Sequence, residues 1–199
     1  MRTIAFVHQK GGTGKTTLAV AAAMALAQTG ARILLLDADV QGTASEWASR
    51  WGERFRIVAR SQIQPIVHEQ VARFAPMFEW MVVDGPPTLS DLTTSILRGA
   101  DRVFVPVRPS FPDIWALEGL AALRATLEGA GMNPAMRVLW SQVSEWPTPA
   151  MRAAVENNGF KIVPAVIRRE AVWSHVMEGQ SLTTGAADCL VQLVKEPWE

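Results

Sequence analysis

The chain has 199 residues, 49% of them hydrophobic and 19% charged, with a formal net charge of zero. That is enough apolar chain for a sizeable core and too much for a disordered polymer, and any contact with nucleic acid must come from a local patch. The single cysteine, Cys189, excludes an intrachain disulfide framework and any CxxC metal site.

Apolar strand-like runs alternate with helical patterns along the whole chain. The predicted strands are Thr3–Val7, Arg32–Asp37, Phe55–Ala59, Trp80–Asp84, Arg102–Val107, Arg137–Ser141 and Phe160–Val163. The predicted helices are Thr16–Gln28, Thr43–Arg50, Pro65–Phe74, Leu89–Arg98, Pro112–Gly129, Thr148–Asn157, Arg169–Glu178 and Ala186–Lys195. This alternation predicts a doubly wound α/β fold, a mostly parallel sheet with helices on both faces. No repeat or linker divides the chain, so residues 1–199 are expected to form one domain. No charged leader with an apolar signal region opens the chain, and no apolar run approaches the ~20 residues of a membrane span, so a cytoplasmic protein is expected. The eight tryptophans are scattered and carry no assigned function.

Three acid- or glycine-bearing segments fall at predicted strand ends, where ligands bind in such sheets. The first is Lys10-Gly11-Gly12-Thr13-Gly14-Lys15-Thr16-Thr17, between an apolar strand and an Ala/Leu-rich helix. Its glycines let backbone N–H groups turn inward around a phosphate, and the following helix points its positive end at the same anion. Lys15 can reach β- and γ-phosphates, and the Thr16 hydroxyl can ligate Mg²⁺. Nothing in a plain phosphate loop requires the second lysine, Lys10. The second segment, Leu36-Asp37-Ala38-Asp39-Val40-Gln41-Gly42, delivers two carboxylates. Asp39 is the better candidate to orient an attacking water. Asp37 is left open between a structural acid and a metal ligand. The third, Met81-Val82-Val83-Asp84-Gly85-Pro86-Pro87, is the Walker B pattern, in which the carboxylate of Asp84 holds a water on Mg²⁺. Gly85 is expected to offer a flexible N–H that senses a γ-phosphate. His8, just before the loop, is read as packing or a loop hydrogen bond.

These three motifs, in this order, resemble the ParA-type members of the deviant Walker A ATPases, the group that also contains MinD. Pro106-Val107-Arg108-Pro109-Ser110 with Asp113 and Leu117, and Arg169 through Glu178-Gly179-Gln180-Ser181, resemble two further segments of the family. The length is similar to that of the compact subgroup without an N-terminal helix-turn-helix. The resemblance implies an ATPase that uses ATP and Mg²⁺. It places the catalytic roles on Lys10, Lys15 and Asp39. The nucleotide lies along Lys10–Thr17, with Thr17 on the α-phosphate. Thr16 and Asp84 serve the metal. Lys10 reaches the phosphates of a second protomer, so the working unit is a homodimer with ATP sandwiched between the two copies. By resemblance the ATP dimer binds non-specific DNA and is nucleoid-associated, and a ParB-like or cargo adaptor protein stimulates slow hydrolysis. The chain departs from the family at Val40, where a proline is usual, and at Leu139-Trp140-Ser141-Gln142, which lacks the Asn or Arg that touches adenine.

Two basic groups could contact DNA: Arg50, Arg54, Arg56 and Arg60, and the C-terminal Arg168 and Arg169, with Arg152 and Lys161 in the same third. The alternative for each is a solvated face, and the resemblance favours Arg168 and Arg169. A MinD-like membrane-associated ATPase would need a basic amphipathic C-terminal helix, whereas this tail is short, interrupted by Pro197 and acidic at Glu199, so no membrane partner is expected. A small-molecule ATP-dependent synthetase of the same superfamily is the other alternative. It does not account for Lys10 or for the Asp39-Val40-Gln41-Gly42 continuation. The cargo is not encoded in any motif of the chain.

Overall fold

The structure, a computed structural model, describes residues 1–196 and residue 198. Seven strands form one sheet: β1 (Arg2–Phe6), β2 (Ile33–Asp37), β3 (Ile57–Ser61), β4 (Trp80–Asp84), β5 (Arg102–Val107), β6 (Met136–Val143) and β7 (Lys161–Arg168). Their spatial order is β3-β2-β4-β1-β5-β6-β7, and every neighbouring pair is parallel. The helices among the described residues are α1 (Lys15–Gln28), α2 (Thr43–Phe55), α3 (Val67–Phe74), α4 (Asp91–Gly99), α5 (Phe111–Trp115), α6 (Leu117–Gly129), α7 (Pro149–Asn157), α8 (Ala171–Met177) and α9 (Thr184–Lys195). The doubly wound α/β fold expected from the alternation is the fold observed.

Successive side chains of a strand point to opposite faces, and the core divides accordingly. Ile4 and Phe6 of β1 join α1, α2, α8 and α9 on one face. Ala5 and Val7 join α3, α4, α5, α6 and α7 on the other. From β1 the chain builds β2 and β3 on one side, returns to β4, then crosses to β5 on the far side of β1. That reversal opens a crevice beyond the carboxyl ends of β1 and β4. Helix α9 buries Ala187, Leu190, Leu193 and Val194 against the α1 face. No helix among the described residues is long and apolar enough to cross a membrane. The tail residues Pro197 and Glu199, which argue against a basic membrane helix, lie outside the described residues.

Several boundaries differ from the predicted ones by a few residues, and three of the differences have a visible physical reason. Phe55 is the last residue of α2 rather than the first of a strand, because its ring stacks on Trp47 of the same helix at 5.8 Å. Arg56 then takes a left-handed φ of 57° that ends the helix. The single helix expected over Pro112–Gly129 breaks at Ala116, whose carbonyl accepts the Gln9 side-chain amide at 2.5 Å. Strand β7 runs past Pro164 to Arg168, since an edge strand tolerates a missing N–H where the register with β6 slips.

Candidate functional site

The loop from His8 to Gly14 links β1 to α1. Gly12 and Gly14 stand at φ of +74° and +93°, a region side chains rarely adopt, so the loop needs glycine at both positions. Gly14 is the N-cap of α1 and offers no side-chain cap, leaving the first helical N–H groups to an incoming anion. The Lys15 ammonium donates to the Lys10 carbonyl at 3.2 Å. Burial pulls Lys15 below its ordinary pKa, and Asp84 and Asp39 pull it back up.

From behind, β6 braces the loop. The Ser141 hydroxyl donates to the Thr13 carbonyl at 2.9 Å, and the Gln142 amide to the Gly12 carbonyl at 2.8 Å. Gln142 sits at φ +52°, an uncommon conformation for a non-glycine residue. In the sequence these two residues stand out only as a missing adenine contact. Their bracing role depends on a loop about 130 positions away, which no local pattern reports.

His8 is buried and its Nδ1 accepts the Lys10 N–H at 2.9 Å, the loop hydrogen bond expected of it. Burial, aided by the Lys15 charge, lowers His8 to about 4, so the ring is neutral at pH 7. The Lys10 ammonium lies 2.6 Å from Asp113. That carboxylate also accepts two bonds from Arg108, at 2.8 and 3.1 Å, and one from the Ser110 hydroxyl at 2.7 Å. Burial alone would raise Asp113; Arg108, Lys10 and Ser110 instead hold it down to about 2.

Asp37 is fully buried at the end of β2. Its two oxygens accept the N–H groups of Asp39, at 3.1 Å, and Ser45, at 2.7 Å. These bonds fasten the second motif to the start of α2, which is the structural half of the open reading. Asp39 is half-buried and caps its own turn by accepting the Gln41 N–H at 3.0 Å. Asp84 lies level with Asp37 in the β2–β4 register, fully buried, and neither of its oxygens has a well-formed hydrogen bond among the described residues. Burial raises Asp84 to about 7, against the Thr16 hydroxyl and Lys15, which pull it down, while Asp37 and Asp39 push it further up. The Gly85 N–H is not the free sensor expected: it donates to the Phe6 carbonyl at 2.9 Å as an extension of the sheet. Glycine is nonetheless required there, because a Cβ would stand 2.6 Å from that carbonyl oxygen.

The chain's own residues suit a magnesium–nucleotide complex better than a bare metal. No group of three or more His, Cys, Asp or Glu among the described residues could hold a metal ion. The orphaned Asp84 oxygens beside Thr16 fit an ion that takes most of its ligands from phosphates and water. Next to the loop, a cavity of about 770 Å³ is bounded by Gly14, Thr17, Gln142, Arg169 and Trp173. Its volume and position suit the rest of a nucleotide. Of the two predicted DNA contacts, Arg169 lines this cavity and Arg168 lies over the Trp146 ring, 5.8 Å from its centroid.

A buried aspartate at the end of a strand, beside a glycine loop and with no well-formed hydrogen bond among the described residues, is the core of a phosphate site, and the sequence comparison agrees with it. Residues 4–182 match the CobQ/CobB/MinD/ParA nucleotide binding domain. The chain belongs to this family. Among its relatives, the chromosome-partitioning ATPase Soj of Thermus thermophilus is 36% identical over 171 residues, covering 70% of this chain and 67% of Soj. The maintenance of carboxysome distribution protein A of Halothiobacillus neapolitanus is 29% identical over 211 residues, covering 98% and 95% of the two chains. Among solved structures, apo McdA from Cyanothece matches with a TM-score of 0.77 over 98% of this chain and 99% of that one, at 15% identity. MinD of Pyrococcus horikoshii, complexed with Mg-ADP, matches at 0.70 over 96% and 93%, at 16% identity. At such identities the structural matches establish the fold.

Proposed function

We propose that this chain is a ParA-type ATPase that dimerises over ATP, binds DNA without sequence preference in that state, and lets go after hydrolysis. The observation that carries this reading is Lys15 facing the carboxylates of Asp39 and Asp84, with the loop's second lysine, Lys10, held nearby on Asp113. A machine for binding alone would need neither Lys10 nor Asp39. The names of relatives that partition chromosomes and distribute carboxysomes support a positioning role. The Mg-ADP carried by the MinD neighbour supports the choice of ligand.

In this reading the Gly11–Thr17 amides wrap the phosphates, Lys15 turns from the Lys10 carbonyl to the β- and γ-phosphates, and Thr17 meets the α-phosphate. The Thr16 hydroxyl and, through water, Asp84 would hold Mg²⁺, whose charge offsets that of the β- and γ-oxygens. Asp39 orients the water that attacks the γ-phosphorus. Lys10 leaves Asp113 for the phosphates of the second copy, so the γ-phosphate is fully neutralised only in the dimer. Hydrolysis removes the group that Lys10 holds and loosens the pair. A ParB-like protein or cargo adaptor sets the timing by stimulating that step.

The test is light scattering with a non-hydrolysable ATP analogue. The wild type is expected to dimerise, and Lys10→Ala to stay monomeric while still binding nucleotide. Dimers persisting in Lys10→Ala would remove its role in trans. DNA co-sedimentation that is equal with ADP and with the analogue would remove the DNA switch.

A further inference from the structure

Six of the seven strands have a cation at their first residue or one residue from it. Arg2, Arg102 and Lys161 are the first residues of β1, β5 and β7. Arg32 and Arg56 immediately precede β2 and β3, and Arg137 is the second residue of β6. Because the sheet is wholly parallel, all six lie at the amino ends of their own strands, in a row that slants: the register sets Arg102 level with Ile4, and Arg137 and Lys161 level with Phe104 and Phe6. They are six of the nineteen Lys and Arg of a chain with no net charge. Parallel strands lie about 4.8 Å apart, so the row crosses about 29 Å. One strand of duplex DNA presents about eight phosphates over that distance, at about 3.4 Å each.

Carboxylates also stand along the row: Glu79 pairs with Arg32, at 3.8 Å, Asp101 accepts the Thr3 N–H, and Glu128 and Glu156 line the hollows beside Arg137 and Lys161. Aromatic rings hold several of the cations in place. Arg2 lies over Trp80 at 5.4 Å, and Arg102 and Arg137 lie over Trp198 at 5.6 and 5.1 Å. Arg102 is lowered first by burial and then by the charge of Arg2; Asp101 raises it again and Arg137 lowers it. A cavity of about 750 Å³ continues the row past Arg137 and Lys161 to Arg152. Cations that outnumber the neighbouring carboxylates over this length form a track for a polyanion.

We infer that the amino edge of the sheet, from Arg56 through Arg32, Arg2, Arg102 and Arg137 to Lys161, is the surface that holds the phosphate backbone of duplex DNA. The inference rests on the DNA-binding part of the proposed function and moves the contact away from Arg168 and Arg169, which stand at the carboxyl edge beside the nucleotide cavity. It also explains how ATP could act on DNA without touching the row. A dimer closed over nucleotide at the carboxyl edges carries two rows at its opposite ends, so that it engages two DNA segments at once where a monomer engages one.

The experiment compares three proteins with the ATP analogue on a random-sequence duplex across a salt series. They are the wild type, the row variant Arg2→Glu/Arg56→Glu/Lys161→Glu, and Arg168→Ala/Arg169→Ala. The row variant is expected to bind about tenfold or more weaker, its log–log salt slope shallower by about 0.9 for each phosphate it no longer neutralises. Its dimerisation and DNA-free ATPase rate are expected to match the wild type. The neutral set Arg2→Gln/Arg56→Gln/Lys161→Gln covers misfolding of the charge-reversed one and is expected to weaken binding in the same direction. An unchanged affinity and slope in the neutral set overturns the inference. So does a lower melting temperature with DNA binding intact, which reduces the row to partners for helix carboxyl ends. Loss of binding to anionic phosphatidylserine vesicles, with DNA binding kept, also overturns it. A wild type that binds no DNA in either nucleotide state overturns the parent reading as well.

Discussion

Lys10 meets a carboxylate of its own chain in the monomer, and that contact makes Asp113 a residue to test. Asp113 is 1% exposed and carries two cations and a hydroxyl. Asp113→Asn leaves Arg108 and Lys10 facing an uncharged amide and is expected to cost about 3 kcal/mol at pH 7. The folded pKa, about 2, lies below the ordinary 3.8. The carboxylate therefore contributes its full stabilisation above about 4 and loses it as pH falls through 2. Urea midpoints of wild type and variant should converge over that window; a gap unchanged at pH 2 would refute the assignment. Asp84 has the opposite sign. Its pKa is raised from 3.8 to about 7, so the native state holds the extra proton and stability falls as pH rises between those values. His8, lowered to about 4, works the other way below 6.5 and masks the trend in wild type. The difference between Asp84→Asn and wild type isolates it. Without nucleotide, the variant is expected to melt a few degrees higher at pH 8 and to gain little at pH 4. It should also lose magnesium-dependent turnover. A lower melting temperature at pH 8 would mean that the charged carboxylate stabilises the fold instead of straining it.

At the scale of elements, α2 couples the Asp39 loop to the turn after α8. The Trp47 indole N–H donates to the Val176 carbonyl at 2.8 Å, and Arg54 to the Gly179 carbonyl at 3.0 Å. Gly179, at φ +77°, has the Trp51 ring where a Cβ would be. Gly179→Ala therefore meets both backbone strain and a clash, and is expected to cost about 3 kcal/mol in chemical denaturation. Gly131→Ala, at φ +80° in open space, carries the strain alone and should cost about 1 kcal/mol. Equal losses would show that Trp51 yields without cost. Element legibility followed the same physics. The runs Trp80–Asp84 and Arg102–Val107 were readable to the residue because buried parallel strands are continuously apolar. The end of α2 and the break at Ala116 were not. Each is decided by a contact beyond local periodicity, Phe55 on Trp47 and Gln9 on Ala116.

At the scale of the whole molecule, the proposed cycle turns on one carboxylate that needs no partner chain to be positioned. Asp39→Ala keeps Lys10, Lys15, Thr16 and Asp84 and removes only the group assigned to the water. With ATP it is expected to form dimers that outlast those of the wild type, with turnover reduced at least about a hundredfold. Undiminished phosphate release would move the water-positioning role elsewhere. The phosphate loop, the two acidic strand ends and the doubly wound fold were legible because each is a local pattern: glycines for backbone approach, apolar runs for buried strands, acids where those strands stop. The sequence by itself therefore determined the fold class, the family and the candidate nucleotide site. Only the tertiary structure decided what the loop's residues touch and where the cations collect. Asp113 beneath Lys10, Gln142 behind Gly12 and a row of arginines along one edge all join residues far apart in the chain. Strand order and register bring them together, and neither is written in any single segment.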